Sequence, residues 1–85
     1  MELAVFKDEY YDESNQCTEF YFTCPWVNKT MRLVQYSTHK WEELPKEIQI
    51  FLTENATVAC IYADKSLSAQ QREAMIKELQ NEYEG

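Results

Sequence analysis

The sequence predicts an α+β domain: a three-stranded antiparallel meander, a fourth strand, and two helices packed on the sheet, in the order β-β-β-α-β-α. Three observations predict it. Residues 17–24 alternate, with Phe20, Phe22 and Cys24 on one face and Glu19, Tyr21 and Thr23 on the other, the pattern of a half-buried strand. Trp41, Leu44, Ile48, Phe51 and Leu52 recur at helical spacing along one stripe. Ser68 and Gln71 stand three apart before an apolar-periodic run, the signature of a capping box.

Each element follows in order. Residues 2–10 open with Leu3-Ala4-Val5-Phe6, a short apolar run suited to a buried strand. Residues 12–16 are polar and read as a turn. Pro25 ends the second strand because proline has no N–H for the ladder, and Asn28-Lys29 supplies the next turn. Residues 30–36 form a third strand, with Met31 and Leu33 on one face and Arg32, Val34 and Tyr36 on the other. Residues 37–39 are a polar break. Residues 40–55 are helical, as a loop or single turn through Trp41 and then a main helix from about Pro45, which fits a first turn where its missing N–H costs nothing. Residues 57–63 are apolar on both faces, Val58, Cys60 and Tyr62 against Ala59, Ile61 and Ala63, and read as a central strand covered on both sides. After a turn at 64–67, residues 69–83 form the last helix, with Met75, Ile76, Leu79 and Tyr83 on one stripe.

With 85 residues the chain is expected to make one domain, and it is 45% hydrophobic and 14% aromatic, too apolar for a disordered segment. Its net charge is −7, which opposes association with nucleic-acid phosphate or anionic lipid. The charge is unevenly spread. Residues 1–27 hold six acids against one base, residues 28–40 hold Lys29, Arg32 and Lys40 and no acid, and residues 41–85 hold nine acids against four bases. No apolar run reaches the ~18 residues of a membrane span. Cys17, Cys24 and Cys60 make an odd count, so a complete disulfide framework is not expected. The chain reads as cytoplasmic with reduced thiols, and Cys60 as a small buried hydrophobe.

The residues needed for most enzyme chemistries are missing. The one glycine is Gly85, which removes the phosphate loop and the dinucleotide fingerprint. The one histidine, His39, lies in the polar break and has no spacing to a cysteine that suggests a catalytic pair. Cys17 and Cys24 are seven apart, so on one strand they face opposite ways and cannot share a metal. No cofactor, metal or catalytic residue is expected, and the chain reads as a binding protein rather than an enzyme.

Two acidic groups carry the binding expectation. Asp8-Glu9-Tyr10-Tyr11-Asp12-Glu13 packs four acids and two tyrosines into a strand end and turn. Tyrosine offers rigid amphipathic contact area, and carboxylates steer a basic partner. Glu42, Glu43 and Glu47 form a second patch. The expected function is a small acidic protein-binding module that inhibits a basic or nucleic-acid-handling protein. The profile of size, charge, few glycines and absent catalytic residues resembles the small acidic inhibitors that phages and mobile elements use against host defence or host polymerases, including DNA-mimicking anti-restriction and anti-CRISPR proteins. That resemblance covers no motif, and no residue's role is carried over by it. The alternative is a dimeric nucleic-acid-associated regulator using the basic segment 29–40, where Lys29, Arg32, His39 and Lys40 lie near Tyr36 and Trp41. Trp26 and Trp41 are the residues through which a homodimer would form.

Overall fold

The computed structural model describes residues 2–37 and 40–84; His39 and the side chain of Tyr83 lie outside the described residues. Three strands come first: β1 (Val5–Asp12), β2 (Cys17–Cys24) and β3 (Lys29–Ser37). They form one antiparallel sheet in the order β1-β2-β3. A single turn of 3-10 helix, Trp41–Glu43, leads through Leu44 and Pro45 into α1 (Lys46–Ala63), and α2 (Ala69–Glu84) follows. The fold is α+β, and no described helix is long and apolar enough to cross a membrane.

Turns without glycine rely on residues that tolerate left-handed backbone. Gln16 (φ 52°) closes the β1–β2 connection and Asn28 (φ 49°) the β2–β3 connection; asparagine accepts this region better than most residues. The expected capping box at the start of α2 is present: the Ser68 N–H donates to Gln71 Oε1 at 2.8 Å, and the Gln71 N–H donates to Ser68 Oγ at 3.1 Å.

The expected fourth strand is not there. Residues 57–63 are the last two turns of α1, an 18-residue helix. No glycine or proline interrupts 46–63, and Ala56, Ala59 and Ala63 favour helix. The polar residues that suggested a break spend their side chains on the helix's own carbonyls: Thr53 Oγ1 to Gln49 O at 2.8 Å, Asn55 Nδ2 to Phe51 O at 2.7 Å, and Thr57 Oγ1 to Thr53 O at 3.0 Å. Burial on two sides has a simple origin. Leu52, Ala56 and Cys60 lie in the main core, while Thr57 on the adjoining side accepts the Ala4 N–H at 3.0 Å. Phe51, expected on the core stripe, is exposed, because the buried stripe runs through Leu52, Ala56 and Cys60 and position 51 lies about 100° around the helix from it.

One face of the sheet is covered. Phe20, Phe22 and Cys24 are wholly buried there, with Leu44, Leu52, Ala56 and Cys60 against them. Trp41 stacks on Phe6, centroids 4.4 Å apart, and meets Phe20 and Phe22 edge-on. Trp41 and Trp26 both pack against this chain's own core and stay partly exposed. A bulge in β3 corrects the expected facing of that strand. Met31 pairs with Phe22, Val34 with Phe20 and Tyr36 with Thr18, while Arg32 pairs with Tyr21. The extra residue flips the alternation, so Val34 and Tyr36 join Met31 on the core side.

The cysteines also differ from expectation. Cys24 and Cys60 form a disulfide, Cα atoms 6.2 Å apart and 36 residues apart in sequence, and Cys17 is free. The bond ties the end of β2 to the last third of α1. Sequence alone read Cys60 as an ordinary buried side chain because its partner lies across the sheet–helix interface.

Candidate protein-binding surface

β1 is an edge strand, and its register decides where the acids go. Asp8 pairs with Tyr21, Tyr10 with Glu19 and Asp12 with Cys17, so these three project from the uncovered face of the sheet. Glu9 pairs with Phe20 and Tyr11 with Thr18, which puts them on the helix side. A bulge between Phe6 and Asp8 sets this phase. The stretch 8–13 therefore divides between two faces around one edge, with Glu13 in the turn beyond. Tyr10 and Tyr11 are both more than half exposed, and the Tyr10 ring rests edge-on against Tyr21 at 5.6 Å.

Several of the acids have structural work. Glu9 Oε2 accepts the Trp41 N–H at 2.6 Å, a charge-assisted bond that satisfies a backbone donor at the start of the 3-10 turn. Glu43 Oε2 accepts the Lys40 N–H at 3.3 Å. Asp8 Oδ1 accepts the Glu9 N–H at 2.8 Å. Asp12 holds the following turn by accepting from the Asn15 side chain at 2.9 Å and the Ser14 N–H at 2.9 Å. The Asn15 amide, outweighing burial and aided by backbone N–H groups and the Arg32 charge, holds the Asp12 carboxyl below its usual value. Glu13, Glu42 and Glu47 make no hydrogen bond or ion pair with any described residue and are exposed.

The Glu9–Trp41 bond is the link between the two predicted patches. It draws the turn carrying Glu42 and Glu43 onto the side of β1, and Glu47 follows in the first turn of α1. Residues 32 positions apart in sequence are neighbours through it.

The basic segment does not gather. Arg32 donates to Glu19 Oε1 at 3.0 Å, and Glu19 also accepts from Tyr21 Oη and from Gln35 Nε2. This hub sits on the uncovered sheet face, and the Glu19 carboxylate raises the Tyr21 phenol above its usual value. Lys29 opposes Cys24 on the covered face of the sheet, away from Arg32 on the uncovered face. Lys40 sits beside β1 instead, next to Trp41, whose N–H donates to Glu9.

Sequence reasoning missed two features. The first is a notch of about 390 Å³ lined by Leu3, Trp41, Lys46, Gln49, Ile50 and Thr53. The helical positions 46, 50 and 53 were legible as one face, but Leu3 and Trp41 reach it only through the fold. The second is the corner between α1 and α2. Asp64, 6% exposed, accepts the Ser66 hydroxyl at 2.6 Å and the Ser66 N–H at 3.0 Å, and the Arg72 guanidinium donates to the Asp64 carbonyl at 2.8 Å. The Ser66 hydroxyl, outweighing burial and aided by the Ser66 N–H, the Trp26 indole and the Arg72 charge, holds the Asp64 carboxyl below its usual value. Among the described residues no three His, Cys, Asp or Glu side chains gather as metal ligands would. Comparison with protein families, with curated proteins and with solved structures finds no match to this chain.

Proposed function

We propose that this chain is an acidic protein-binding module that acts by occupying a basic site on its target, in the manner of an inhibitor of a nucleic-acid-handling protein. It works by binding and not by catalysis. The observation that carries the reading is the Glu9–Trp41 hydrogen bond, because it joins the acidic edge of β1 to the turn bearing Glu42 and Glu43. Carboxylates around that junction steer a basic partner and repel a second acidic copy. The uncommitted carboxylates, Glu13, Glu42 and Glu47, are the partner-binding residues in this reading; Glu9, Asp12 and Glu43 position them. Asp8, Tyr10 and Tyr11 complete the surface, the tyrosines as contact area. An anti-defence role for a phage or mobile element is one setting in which such a module would act.

The sequence reading placed that action in the cytoplasm. The Cys24–Cys60 disulfide weighs towards an oxidising compartment instead, and a thiol count on protein alkylated in the cell before lysis decides between them. The alternative, a dimeric nucleic-acid-associated regulator built on residues 29–40, has less behind it: Arg32 is paired with Glu19, and Lys29 lies on the opposite face of the sheet from Arg32.

The test is a triple charge reversal, Glu13→Lys, Glu42→Lys and Glu47→Lys, in protein immobilised and challenged with host lysate at low salt. Native protein is expected to retain a basic protein that elutes as ionic strength rises. The triple variant should lose that retention with an unchanged melting temperature. Retention that survives all three reversals removes the reading.

A further inference from the structure

The notch lined by Leu3, Trp41, Lys46, Gln49, Ile50 and Thr53 is apolar at its centre and acidic around it. Ile50 is 48% exposed and the adjoining Phe51 58%, so two large apolar side chains meet solvent on this stretch of α1. Glu47 lies three residues before Ile50 and Glu54 four after, the two spacings that place side chains next to one another on a helix. Of the other lining residues, Trp41 is followed directly by Glu42 and Glu43, and Leu3 is preceded by Glu2. One cation, Lys46, lines the notch itself.

We propose that this notch receives an apolar side chain projecting from a basic segment of the partner. The proposal rests on the acidic-module reading and names its anchoring point. Charge complementarity selects the occupant. An apolar anchor flanked by lysines or arginines buries against Ile50, Leu3 and Trp41 while its cations meet Glu42, Glu47 and Glu54. A second copy of this chain would bring the same carboxylates to the same place. Interfaces draw most of their affinity from such a central apolar anchor within a polar rim, so the notch supplies what the surrounding carboxylates alone do not.

The experiment uses the full chain, ¹⁵N-labelled, and two amidated 14-residue peptides. One has leucines at helical spacing among lysines; the other replaces every leucine with alanine at the same charge. The leucine peptide is expected to shift the amide signals of Ile50 and Thr53 and the indole signal of Trp41. It should bind at least tenfold more tightly than the alanine peptide. Ile50→Lys should erase that difference; because the side chain is half exposed, the variant should keep its melting temperature, and Ile50→Ser serves as a second, uncharged variant. Equal binding of both peptides, lost on reversal of Glu13, Glu42 and Glu47, overturns the notch and leaves the acidic surface standing. No binding of either peptide overturns both. A dimer in solution that Ile50→Lys dissociates shows that a second copy is the occupant and overturns the proposal.

Discussion

Reducing the Cys24–Cys60 bond perturbs the fold at the disulfide cross-link between sheet and helix. The two cysteines are 36 residues apart. Closing a loop of that length removes chain entropy from the unfolded state worth about 4 kcal/mol at 25 °C. A chain of this size has a total stability of roughly 4–13 kcal/mol, so the bond accounts for a third of it or more. Spread over the unfolding entropy of a domain this small, the loss lowers the melting temperature by roughly 15–30 °C. The assay is thermal unfolding followed by circular dichroism with and without a phosphine reductant, in a Cys17→Ser background that leaves only the paired cysteines. Thiol titration of the denatured protein should find no free thiol before reduction and two after. A melting temperature that moves by less than about 4 °C on complete reduction, the shift of ~1 kcal/mol, refutes the reasoning, as does finding both thiols free in protein isolated without reductant.

Three further outcomes follow. Glu9→Ala removes the acceptor for the Trp41 N–H and should cost ~1–3 kcal/mol by denaturant unfolding; Glu9→Gln, which keeps an oxygen in reach, should recover most of it. Asp64 has a folded-state carboxyl held below its usual value, so its contribution is present above the ordinary carboxylate range and fades as pH falls through the folded value. Asp64→Asn should therefore flatten the acid limb of the stability profile between pH 5 and pH 2, measured by urea midpoints. Thr57→Val deletes the hydroxyl that accepts from the Ala4 N–H and donates to the Thr53 carbonyl; with a buried donor left unmet it should destabilise by ~1–3 kcal/mol, and hydrogen exchange at the Ala4 amide should quicken first.

The strands and the second helix were legible because their signals are local. Alternation at 17–24, proline at 25 and the Ser68–Gln71 capping box each depend on residues within one turn or one strand. Residues 57–63 mislead because burial at adjacent positions has two causes: a central strand, or a helix with the sheet on one side and the segment before β1 on the adjoining side. Periodicity alone does not separate them in so short a run. The facing of β3 failed for a related reason, since one bulged residue reverses the phase of everything beyond it and leaves no mark in the composition.

The acidic site divides along the same line. The sequence by itself determined that the surface is acidic, that its aromatic content suits a packed core, and which segments carry the carboxylates. Tertiary structure alone decided that Glu9 caps Trp41, that 8–13 wraps an edge between two faces, that Cys24 meets Cys60, and that Leu3 and Trp41 close a notch over Ile50. Each of these joins residues at least 32 positions apart or depends on strand register. Composition and spacing report what a segment can do with its near neighbours; which distant segment it meets is settled by burying one common core, and the chemistry of a site is made where those segments meet.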